Sequence, residues 1–79
     1  MTKEMRKCII TTKSQTLAKK AERALLKVGI GARVTSVDPS LTERGCGWGV
    51  ELPCADVTPA EEALRRDRIY FGVTLGGGI

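Results

Sequence analysis

Leu17, Ala18, Ala21, Ala24, Leu25 and Val28 recur at the spacing of one helical face, and a short β-branched run stands on either side of them. A helix with a single apolar stripe must lay that stripe on something. In a chain of 79 residues, the flanking runs are the material from which that support is built. Lys19, Lys20, Arg23 and Lys27 fall largely on the opposite face. Ser14 is placed to cap the helix by accepting a bond from a free backbone N–H, and Gly29 is a natural stop.

The rest of the chain supplies the sheet. Cys8-Ile9-Ile10-Thr11-Thr12 and Ala32-Arg33-Val34-Thr35-Ser36-Val37 read as strands, the second ended by Asp38-Pro39-Ser40. Trp48, Val50 and Leu52 alternate with Gly49 and Glu51, giving a third strand with one apolar face. Thr58-Pro59-Ala60-Glu61 predicts a helix start, with Thr58 as the N-cap and Glu61 completing a capping box. Ile69, Phe71, Val73 and Leu75 then alternate with Tyr70, Gly72 and Thr74 as a fourth strand. The order β-α-β-β-α-β predicts an α+β domain: a ferredoxin-like βαββαβ sandwich with a four-stranded antiparallel sheet and two helices on one face. One domain over residues 1–79 is expected, with a folded core of about 8–75 and a glycine-rich C-terminal tail.

Composition removes several function classes. No apolar run approaches the ~20 residues of a membrane span, and no secretory signal pattern follows the basic N-terminus, so the cytoplasm is the expected compartment. There is no histidine, and the three cysteines include no Cys-x-x-Cys pair. That argues against a zinc site, against a histidine-dependent hydrolase and, in a reducing compartment, against a disulfide framework. No metal and no cofactor is indicated. The net charge of +4 is uneven: residues 1–33 carry nine Lys or Arg against Glu4 and Glu22. Such a surface attracts anions or acidic partners, or is simply the solvated side of a helix.

The chemistry is expected at Arg44-Gly45-Cys46-Gly47-Trp48-Gly49. Gly45 and Gly47 leave the sulfur open to approach, and Arg44 favours the thiolate, which is the nucleophilic form. In the expected fold, the start of the third strand lies beside the end of the first, where Ser14, Gln15 and Thr16 open the first helix. The free N–H groups there would hold an anionic sulfur. Cys54 lies at the far end of the third strand, beside Cys8. Both are expected to be small buried residues that take no part in the chemistry.

These residues resemble the putative selenium/sulfur (Se/S) carrier protein-like family. The resemblance rests on Ser14, Ala18 and Glu22, on Pro39, and on Cys46-Gly47 at the end of the loop, and it covers about residues 8–75. The chain departs from the family pattern at Gln15, Ser40 and Glu43. The resemblance implies a carrier rather than a stand-alone enzyme. Cys46 would hold sulfur or selenium as a persulfide or selenosulfide, between a donor protein and an acceptor protein.

The alternative is a ferredoxin-like regulatory module that binds a small ligand or a protein, with Cys46 incidental. Nucleic-acid binding is disfavoured, because one Trp, one Tyr and one Phe make a poor stacking platform. Ile9, Thr11, Tyr70, Gly72 and Thr74 are expected on an open sheet face, suited to a homodimer or a partner protein.

Overall fold

A computed structural model describes residues 6–38 and 47–76 of the chain. Among these, β1 (Lys7–Thr12), β2 (Arg33–Ser36), β3 (Trp48–Pro53) and β4 (Thr74–Leu75) form one sheet in the order β2-β3-β1-β4. Every neighbouring pair is antiparallel. The helices are α1 (Gln15–Lys27) and α2 (Val57–Arg66), giving an α+β fold.

The register explains the core. Cys8 faces Leu52, Ile10 faces Val50 and Thr12 faces Trp48, so these six residues share one side of the sheet. Ile10, Val50 and Leu52 are sealed there in a single cluster with Ala18, Ala21 and Leu25 of α1 and Ala60, Ala63 and Leu64 of α2. The alanines let both helices approach closely, and the branched residues fill the space between.

Both helices end the same way. After α1, Gly29 sits at φ 82, its N–H donating to the Leu26 carbonyl and that of Ile30 to the Leu25 carbonyl. After α2, the N–H of Arg68 donates to Arg65 and that of Ile69 to Leu64. These are paired Schellman bonds, which satisfy the last carbonyls of a helix. In α2 the left-handed position is held by Arg68, at φ 58, where glycine is usual.

Four expectations are corrected. First, α2 starts at Val57, behind a 3-10 turn over Cys54–Asp56, so Thr58 is not its cap. Pro59 falls within the first turn, where its missing N–H costs no bond. Instead of closing a capping box, Glu61 accepts a 2.7 Å bond from the Thr74 hydroxyl and lies 3.8 Å from Arg65.

Second, the last strand is two residues long, because a β-bulge precedes it. The Thr11 N–H donates to the Val73 carbonyl, while the Thr11 carbonyl accepts from the Gly72 N–H. Two residues thus oppose one. One extra residue transfers everything after it to the other face. Thr74, opposite Ile10, therefore turns to the helices, and Leu75, opposite Ile9, joins the open face. Phe71, before the bulge, still packs against the core.

Third, Thr11 is not exposed: it is fully buried, with its hydroxyl donating to Val73.

Fourth, Cys8 and Cys54 are joined in a disulfide. The register sets Lys7 against Pro53, and the Cys54 N–H continues the ladder by donating to the Arg6 carbonyl. The resulting Cα–Cα separation of 4.9 Å lies within the range a disulfide requires. The expected proximity of the two cysteines is therefore present, but as a covalent bond rather than as two buried thiols.

Candidate functional site

The sheet has two chemically distinct ends. At one end the Cys8–Cys54 bond ties the start of β1 to the entry of α2. At the other end β1 runs out, β2 runs out, β3 begins and α1 begins. Thr12 faces Trp48 and Ser36 faces Trp48 from the other side. Gly47 extends this ladder by one residue, its carbonyl accepting a 2.9 Å bond from the Val37 N–H.

The turn from β1 into α1 is built by side chains suited to it. The buried Thr12 hydroxyl donates to the Ser14 carbonyl at 2.9 Å. Ser14 is extended, as an N-cap requires, and its hydroxyl oxygen accepts from the Leu17 N–H at 3.2 Å. The Ser14 carbonyl accepts from Ala18. The amides of Gln15 and Thr16 have no hydrogen-bond partner among the described residues, and both residues are exposed. Two open donors at the positive end of a 13-residue helix can receive an anion. Lys13 adds a cation to this end, held 5.5 Å above the Tyr70 ring.

Of the residues singled out from sequence, Ser14, Gln15, Thr16 and Gly47 lie at this end of the sheet. Arg44, Gly45 and Cys46 lie outside the described residues, as does the expected contact between the Cys46 sulfur and the helix start. Trp48 points to the helix side and packs, half-buried, against the core. Gly49, one position of the alternating third strand, has tight surroundings. A Cβ there would stand 2.7 Å from the Ile10 carbonyl oxygen and 2.8 Å from Ile9 Cγ2. At Gly47 the nearest atom would be 3.9 Å away.

Among the described residues, no three His, Cys, Asp or Glu side chains gather as metal ligands. No helix among them is long and apolar enough to cross a membrane.

Fold and site thus define a small α+β domain with one stapled end and one end that carries open amide donors and Gly47. The model of the family described as "Putative Se/S carrier protein-like" matches residues 7–72, and the chain belongs to that family. No curated protein and no solved structure matches it.

Proposed function

We propose that this chain carries sulfur or selenium on Cys46 between a donor and an acceptor protein. The observation that carries the reading is the Cys8–Cys54 bond. The chain has three cysteines, and that bond occupies two of them, so Cys46 is the one left for thiol chemistry. Its neighbour in the chain, Gly47, lies at the sheet end that also holds the open Gln15 and Thr16 amides. Membership of a family described as Se/S carrier-like points the same way.

The step is redox-neutral. The Cys46 thiolate attacks the terminal sulfur of a donor persulfide. A new S–S bond forms on Cys46, the donor's S–S bond breaks, and the donor leaves as a thiolate. An acceptor thiolate then takes the same terminal atom and releases Cys46. A selenium atom would follow the same course. Open helix-start amides stabilise the anionic cargo. The strand order, with β1 and β3 central, supports a ferredoxin-like arrangement whose open sheet face is available to a second copy.

Treating the protein with a small-molecule persulfide and measuring intact mass tests this. A single added sulfur on the parent chain, absent after Cys46→Ser, is expected. An adduct that survives that substitution, or that maps to Cys8 or Cys54, refutes it. Full partner binding after Cys46→Ser without any adduct on the parent would indicate a regulatory module instead.

A further inference from the structure

We propose that the groove between α1 and the turn after α2 is a docking site for an acidic segment of a partner protein, one in which carboxylates alternate with apolar side chains. The groove has a volume of about 480 Å³. Its floor is apolar, formed by Leu17, Ala24 and Ile69. Its rim carries the cations Lys20, Arg23, Lys27 and Arg68 against a single acid, Asp67. All four cations are exposed, and none is in an ion pair among the described residues.

Arg68 supplies a second, independent observation. It occupies the left-handed position of a helix-ending motif, at φ 58. The equivalent position after α1 is glycine. A non-glycine residue there lowers stability, and such outliers persist where the side chain serves another purpose. Here that side chain is one of the four cations of the rim.

The geometry selects the ligand. The Arg68 and Ile69 amides are already committed to Arg65 and Leu64, so they offer no cradle to a compact phosphate. The positive charge is instead carried by side chains, and Lys20 to Lys27 span about 10 Å of helix. That arrangement suits charges distributed along an extended chain. The lining contains no aromatic residue on which bases could stack, which separates this surface from a nucleic-acid groove. The apolar floor calls for apolar side chains between the charges.

A fluorescein-labelled peptide of repeating Glu-Glu-Leu units, titrated with the full chain and followed by anisotropy, is the test. Salt-sensitive binding is expected, with amide NMR shifts centred on residues 17–27 and 67–69. Lys20→Glu with Lys27→Glu should weaken it by roughly tenfold or more. Arg68→Gly should move two readouts in opposite directions: Tm higher by about 4–8 °C, and affinity lower by about 2–5-fold. A misfolded variant cannot produce that pair of changes. Absence of binding at low ionic strength overturns the proposal. So does an equal loss from Lys13→Glu with Arg33→Glu, which lie outside the groove, or displacement of the peptide by a single-stranded RNA at lower concentration. Cys46→Ser should leave the peptide affinity unchanged, so this docking site and the carrier chemistry can fail separately.

Discussion

Replacing Gly49 with alanine tests the packing of the sheet with a single methyl group. Gly49 is buried in β3, opposite Thr11 of β1 and Thr35 of β2. The added Cβ would meet the Ile10 carbonyl oxygen at 2.7 Å, Ile9 Cγ2 at 2.8 Å and the Thr11 Cα at 3.2 Å. Two of these three are backbone atoms of a strand paired on both sides, so they cannot retreat without breaking ladder bonds. Two effects oppose each other. Alanine restricts the unfolded chain and would gain about 0.5–1 kcal/mol in an open strand position. Overpacking typically costs about 1–3 kcal/mol. The clash wins, with a net loss of about 1–2 kcal/mol. For a domain of this size that lowers Tm by about 4–16 °C. Thermal unfolding followed by circular dichroism reads it, with Gly31→Ala as the reference, since a Cβ there meets nothing within 4 Å. A Gly49→Ala protein melting at or above the Gly31→Ala protein would refute the reasoning.

Two further predictions concern the ends of the sheet. Alkylation under denaturing, non-reducing conditions should label one cysteine, and after reduction three. The bond spans a sequence separation of 46, so replacing Cys8 and Cys54 together with serine should destabilise the chain by about 4 kcal/mol in urea unfolding. Labelling of all three cysteines without reductant would remove both the bond and the argument that singles out Cys46. Ser14→Ala removes the acceptor for the Leu17 N–H and should cost about 1 kcal/mol, measured by the same unfolding curve. No change in midpoint would mean that the cap bond contributes nothing.

What the sequence determined by itself is what depends on neighbours a few residues apart. The stripe from Leu17 to Val28, the Ser14 cap and the Gly29 stop define α1, because helical periodicity and helix ends are local properties. The alternation in β3 places Val50 and Leu52 on one face for the same reason. The remainder was decided by contacts between segments far apart in the chain. Whether Gly72 and Val73 both oppose Thr11 depends on a strand some sixty residues away, and that bulge reverses the faces of Thr74 and Leu75. The disulfide exists because the β1–β3 register brings Cys54 beside Cys8, 46 positions earlier. The cationic groove exists because the turn after α2 lies against α1, bringing Arg68 to Lys20, Arg23 and Lys27. Periodicity records which way each side chain leans, whereas only the folded pairing of distant segments decides what it meets.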